Sequence, residues 1–220
     1  MVLQEIWRYP VKSMAGERLD RTTAGPLGLH GDRVVQVYDR RGHLVTARTH
    51  PRLLGLHATL GSDGEPLVDG RPWSSPDVGE RVEHIVGPGA RLVRNEHEAR
   101  FDVLPLLVAT DGAIAAFGRD SRRLRPNLIV GGVNGLEERG WEGRVLRIGE
   151  VLIALADLRG RCVMTTVDPD TLATDPRVLK DIVRRFDGHL ALNAEVVQGG
   201  ELRVSATVEL LPAAALQAIG

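Results

Sequence analysis

Apolar and polar positions alternate in short bursts along the first half of the chain. Glycine, proline or aspartate closes each burst, as expected of strands joined by turns. Residues 3–9 read as a strand that stops at Pro10, whose ring holds Tyr9 extended. Residues 34–38 and 44–47 flank Asp39-Arg40-Arg41-Gly42 and read as a hairpin. Residues 56–60 and 82–86 are further predicted strands, with loops at 61–66 and 72–76. Past residue 100 the texture changes: 111–117 is a short helix with Thr110 as its N-cap, and 128–130 is a buried strand. Residues 145–148 and 151–155, joined by Gly149-Glu150, fit a type II′ hairpin. A second hairpin is predicted from 194–197 and 201–208 around Gln198-Gly199-Gly200. The best helix is 175–186, where Asp175 can cap and Pro176 takes the first position. Val178, Leu179, Ile182, Val183 and Phe186 form its apolar stripe. Many short strands with few helices predict a mostly β fold, a barrel or sandwich rather than alternating α/β.

The lone cysteine, Cys162, lies in Arg159-Gly160-Arg161-Cys162, ahead of the β-branched run Val163-Met164-Thr165-Thr166-Val167. That run predicts a strand ending at the Asp168-Pro169-Asp170-Thr171 turn, which puts the cysteine at a loop-to-strand junction. A thiol acts as nucleophile or metal ligand only as the thiolate, and Arg159 and Arg161 favour the anion electrostatically. The plainer reading is that an isolated cysteine is a small buried apolar filler.

Composition narrows the classes. With 43% hydrophobic and 26% charged residues, the 220-residue chain can bury a core without crosslinks. Its 28 Lys and Arg against 29 Asp and Glu leave no global field for nucleic acid or an anionic membrane surface. One cysteine forms no internal disulfide, which suits a reducing compartment, so the expectation is a cytoplasmic protein. The first residues lack an apolar core behind a basic start, and no stretch approaches the roughly 18 apolar residues of a membrane span.

Familiar catalytic motifs are missing. There is no Gly-x-Ser-x-Gly or His-Glu-x-x-His, and the histidines at 30, 43, 50, 57, 84, 97 and 189 lack zinc-ligand spacing. The glycines of residues 25–33 match neither a dinucleotide fingerprint nor a P-loop. What remains is a set of anion-binding groups: Lys12-Ser13 after Pro10, Asp32-Arg33, and Arg119, Arg122, Arg123 and Arg125 ahead of Pro126-Asn127. Arginine forks suit phosphate and an amide suits the edge of a heterocycle. Charged side chains are mostly solvated, so each of these taken singly also reads as surface charge.

Two groups of motifs carry a family resemblance. Tyr9-Pro10-Val11-Lys12-Ser13, Gly31-Asp32-Arg33 and Val45-Thr46-Ala47-Arg48 resemble the N-terminal β-barrel domain of the MOSC (molybdenum cofactor sulfurase C-terminal) family. The stretches 124–130, 141–143 and 148–149, and Arg161-Cys162 followed by Thr165-Thr166-Val167-Asp168-Pro169, resemble the MOSC domain itself. The resemblance implies an N-terminal barrel over residues 1–100 and a MOSC barrel over 101–215 with a cofactor between them. It further implies a molybdenum–molybdopterin cofactor with Cys162 as metal ligand. Lys12, Ser13, Arg33, Arg125, Asn127 and Arg161 would hold the pterin and its phosphate, with Thr110 and Asn193 as further contacts. A pyridoxal phosphate-type description is a secondary implication. The implied activity, that of amidoxime-reducing component type proteins, is reduction of a small N–O substrate. The electrons would come from an external donor, a ferredoxin-like protein or a flavoprotein reductase, since one cysteine cannot hold an iron–sulfur cluster. The chain departs from the family at Ala191-Leu192-Asn193 and Val204-Ser205-Ala206, where Phe-Gly and Gly-Asp are frequent. The alternatives are a non-redox carrier of cofactor or sulfur and, last, a nucleic-acid module built on residues 119–125.

Overall fold

In chain order the elements are β1 (Val2–Arg8), β2 (Glu17–Leu19), β3 (Arg21–Gly25), β4 (Gly28–Leu29), β5 (Val35–Tyr38), β6 (Leu44–Val45), β7 (Ala58–Leu60), β8 (Pro66–Val68), β9 (Arg71–Pro72), α1 (Pro76–Val86), β10 (Arg91–Arg94), β11 (Leu106–Thr110), α2 (Asp111–Phe117), β12 (Leu128–Gly131), β13 (Val145–Ile148), β14 (Val151–Gly160), α3 (Arg177–Phe186), β15 (His189–Gln198), β16 (Gly200–Arg203) and β17 (Val208–Leu211). This computed structural model describes residues 1–95, 97 and 100–216. The fold is mostly β, as the sequence predicts.

One sheet organises it, in the order β17-β13-β14-β15-β11-β12-β1-β2. β1 buries Leu3 and Ile6, three positions apart, because an irregularity between Leu3 and Glu5 shifts the alternation by one residue. Thr207 bridges to Val2, and Leu3 N donates to Ala206 O at 2.9 Å, so the strand order returns to its start and the sheet closes. Inside lie Leu3, Ile6, Leu106, Val108, Leu128, Val130, Leu146 and Ile153. A second core, with Val11, Met14, Val35, Val37, Leu53, Val78 and Val82, gathers β5, the 51–55 turn and α1. β1 and β2 belong to the sheet built mainly from later strands, and β16 pairs with β3. The halves expected at 1–100 and 101–215 therefore share sheets.

Several predicted elements hold: the 39–42 hairpin, the β13–β14 hairpin at Gly149, and α2 with its Thr110 cap. Others change. Residues 82–86 are the last turns of α1, not a strand; Pro76 opens that helix and Val78 and Val82 bury one turn apart. Residues 163–166 form a 3₁₀ turn, not a strand. The Thr165 and Thr166 hydroxyls donate to the Cys162 and Val163 carbonyls at 2.8 and 2.6 Å, and these local bonds override β propensity. The predicted 194–208 hairpin does not form: β15 pairs with β14 and β11, while β16 crosses to β3. Gly199 allows this crossing, since a Cβ there would lie 2.7 Å from Ala24 O. In α3, Asp175 accepts from Arg177 N at 3.0 Å, and Val178, Ile182 and Phe186 are buried, but Val183 faces solvent, 58% exposed.

Candidate functional site

Where the second core meets the closed sheet, three corners of the chain turn through the left-handed region. Ser13 (φ 70°), Arg33 (φ 55°) and Arg125 (φ 56°) adopt it although none is glycine. Such strained positions persist where the surroundings over-determine them, and they gather at functional sites. The constraint here is a buried network. Asp32, fully buried, accepts from Tyr9 N at 2.7 Å and Asn127 Nδ2 at 3.1 Å, and pairs with Arg33. Asn127 also donates to Trp7 O at 3.2 Å and accepts from Leu107 N at 3.2 Å, joining β1, β11 and the 32–33 corner. The Tyr9 hydroxyl donates to Pro126 O at 3.1 Å. Arg125 and Arg33 lie over the Tyr9 ring, 4.2 and 5.0 Å from its centroid. Burial pushes the Tyr9 phenol up to about 12, although the nearby arginines oppose it.

A second cluster centres on Asp102. Its carboxylate meets Lys12 Nζ at 2.7 Å, Arg48 at 2.5 Å and Arg159 at 3.6 Å. Burial would raise the Asp102 pKa, but Lys12, then Arg48 and Arg159, outweigh it and hold the group below its ordinary range. Burial lowers the Lys12 pKa against the pull of Asp102. Burial also works to lower Arg48, yet its hydrogen bond to Cys162 and the charge of Asp102 leave it raised.

Cys162, half-buried, caps the 163–166 turn just past the end of β14, so it stands at a strand-to-3₁₀ junction, not the loop-to-strand junction expected. Arg159 and Arg161 both precede it at the end of that strand. Arg159 donates to Asn193 Oδ1 at 3.1 Å, and Asn193 donates to Asp157 at 3.0 Å. Arg161 donates to Leu124 O at 2.6 Å, while its Nε is buried without a hydrogen-bond partner. Burial draws Arg125 and Arg161 down to about 10.

These groups line one cavity of about 130 Å³ between the two cores. It brings together Lys12, Ser13, Arg33, Arg125, Asn127, Arg161, Cys162 and Asn193, eight of the nine residues read from the sequence. Thr110 is the exception. Its hydroxyl accepts from Ala113 N at 3.1 Å, donates to the buried Glu138 at 3.3 Å and lies away from the cavity, so its role is to cap α2. Asp102 joins the lining unforeseen, together with Arg48, Arg123 and Arg159, which the sequence marks as motif or cationic residues without assigning them to the cofactor. No local pattern marks Asp102. Among the described residues, seven cationic side chains line the cavity against one carboxylate, Asp102. Among the described residues, Arg125 and Arg161 have no carboxylate partner. An electropositive hollow with one accessible thiol is equipped to hold an anionic group and a thiophilic atom together.

The MOSC N-terminal beta barrel domain matches residues 1–72, and the MOSC domain matches residues 113–209. The chain carries both MOSC domains. This MOSC chain is 26% identical to mitochondrial amidoxime reducing component 2 of Macaca fascicularis, over 83% of its own length and 71% of the relative's. It is 25% identical to mitochondrial amidoxime-reducing component 1 of Homo sapiens, over 76% of its own length and 66% of the relative's. Among solved structures, the YUAD protein from Bacillus subtilis superposes with a TM-score of 0.53 and 11% identity, covering 95% of this chain and 94% of that one, a likeness of fold. These relatives are named as mitochondrial proteins, which overturns the cytoplasmic expectation. The reasoning failed because one cysteine forms no internal disulfide in any compartment and so carries no address. None of these relatives bears on pyridoxal phosphate. Among the described residues no helix is long and apolar enough to cross a membrane.

Proposed function

We propose that this MOSC protein holds a molybdenum–molybdopterin cofactor in the cavity between its cores and reduces the N–O bond of small N-hydroxylated substrates. Its similarity to amidoxime-reducing components supports the reaction class. The observation that carries the reading is the single thiol of Cys162 in a cavity where, among the described residues, Arg125 and Arg161 lack carboxylate partners. That donor set fits the group: a phosphate can pair with these arginines, and a soft metal takes a thiolate. Among the described residues no three His, Cys, Asp or Glu side chains come together, so a metal here would draw on Cys162 and the pterin rather than on a protein cage.

Lys12, Ser13, Arg33, Arg125 and Arg161 would hold the phosphate and pterin, with Asn193 as a further contact, while Asn127, buried with its amide already engaged, fixes the corner that carries Arg33. When bound, the molybdenum centre supplies the two-electron chemistry that turns N–OH into N–H and water. Cys162 furnishes the one protein ligand. Arg48, in contact with both Cys162 and Asp102, keeps the sulfur facing the cavity. Asp102 stays ionised near neutral pH and gathers Lys12, Arg48 and Arg159 around the opening. The Lys12 ammonium, its pKa lowered by burial, releases a proton at Nζ more readily than a solvated lysine. Electrons come from a separate donor protein.

The test is elemental analysis for molybdenum after expression in a host that makes the cofactor, with an N–O reduction assay driven by an artificial donor. Cys162→Ala should abolish turnover while leaving the thermal melt unchanged. The double variant Arg125→Gln, Arg161→Gln should cut retained molybdenum by about tenfold or more, as loss of charged hydrogen bonds predicts. Turnover by metal-loaded Cys162→Ala would refute the reading. Bound cofactor with no turnover in the unaltered protein would identify a carrier instead.

A further inference from the structure

A second cavity, of about 170 Å³, adjoins the first across Arg123, Arg125 and Met164, which line both. Its lining differs in kind. Trp7 and Tyr9 from β1 and its end, Leu54 from the 51–55 turn, and Met164, Val167 and Pro169 from the stretch after Cys162 make it mainly apolar and aromatic. Two of the three arginines on this wall are already engaged. Arg122 pairs with Asp120 and Asp170 at 2.7 Å each, and Arg123 pairs with Asp168 at 2.7 Å. Arg125, stacked on Tyr9, has a planar guanidinium on which a further ring can lie. Gly16 keeps the wall close: a Cβ there would come within 2.5 Å of the Tyr9 ring. His57, exposed, stands in the lining on the solvent side. An apolar cavity of about 150 Å³ suffices for a benzene-sized guest.

We propose that this second cavity is a distinct binding site for a neutral single-ring aromatic molecule. The ring packs among Trp7, Leu54, Met164 and Val167. The proposal does not depend on what the first cavity holds.

The probe is 4-fluorophenol, followed by fluorine NMR on the full chain. Saturable shift or broadening is expected, and it should weaken by at least about tenfold in Leu54→Trp and in His57→Trp, where an indole occupies the space. His57 is exposed, so its variant carries the test even where Leu54→Trp disturbs folding. Arg161→Gln and an excess of inorganic phosphate, which act on the first cavity, should leave binding unchanged. Equal binding by the His57→Trp protein would overturn the proposal. So would displacement of the phenol by phosphate, which would make the two cavities one anion site.

Discussion

Asp102 shows how a single carboxylate sets the character of the site. Removed from water it would prefer its neutral form, but three cations from separate parts of the chain reverse that preference. Its pKa is depressed on folding, so the stability it contributes is present above the ordinary value of 3.8 and is lost as the pH falls through the folded value. Asp102→Asn should therefore lower stability at neutral pH by about 1–3 kcal/mol, because it leaves Lys12, Arg48 and Arg159 facing one another. In thermal melts the gap between variant and unaltered protein should hold from about pH 7 to about pH 4 and narrow only as the pH falls further, below the ordinary value of 3.8. A gap that already narrows between about pH 7 and about pH 5 would remove Asp102 from this role. The sequence marks Lys12, Ser13, Arg33, Arg125, Asn127 and Cys162 because each sits in a local motif. It cannot mark Asp102, whose partners lie 90, 54 and 57 positions away.

At the scale of elements, α3 matters to the site through what it supports. Val178, Ile182 and Phe186 repeat every four residues and pack on Phe117, Leu124 and Leu190, directly beneath the corner that presents Arg123 and Arg125. Ile182→Ala should cost about 2–5 kcal/mol in chemical denaturation, as a buried truncation with little room to collapse. Val183→Ala on the solvent side should stay within about 0.5 kcal/mol. Equal losses at the two positions would contradict this packing. The periodicity of this helix was readable, but the stripe was drawn one residue too wide, since apolarity alone does not tell a core contact from an exposed valine. The 163–166 turn is the opposite case. β-branched residues argued for a strand, and two threonine hydroxyls bonding back to the chain decided otherwise.

For the molecule as a whole, the consequence lies in how the two halves are joined. β1 sits in the closed sheet between β12 and β2, and the bridge at Thr207 completes the circuit through its first residues. Residues 101–216 alone would expose the edge of β12 and lose Leu3 and Ile6 from the core. That fragment should give a poorly dispersed nitrogen–proton NMR spectrum with no cooperative melt, and co-expression with residues 1–100 should restore both. A well-dispersed, cooperatively melting fragment would show that the later strands close without β1. The cavity follows from the same joining, because Lys12, Ser13 and Arg33 come from one half and Arg125, Arg161 and Cys162 from the other.

Read alone, the sequence settled what depends on neighbours a few positions apart: a mostly β class, the hairpins at Gly42 and Gly149, the capped α2, and the motif residues that carry cationic or thiol chemistry. Tertiary structure alone decided the pairing of β16 with β3, the helical state of residues 82–86, and the gathering of Arg48 and Asp102 around Cys162. Those outcomes rest on contacts between residues far apart in the chain. Their energies come from burial and from charges brought together only once the sheet has closed.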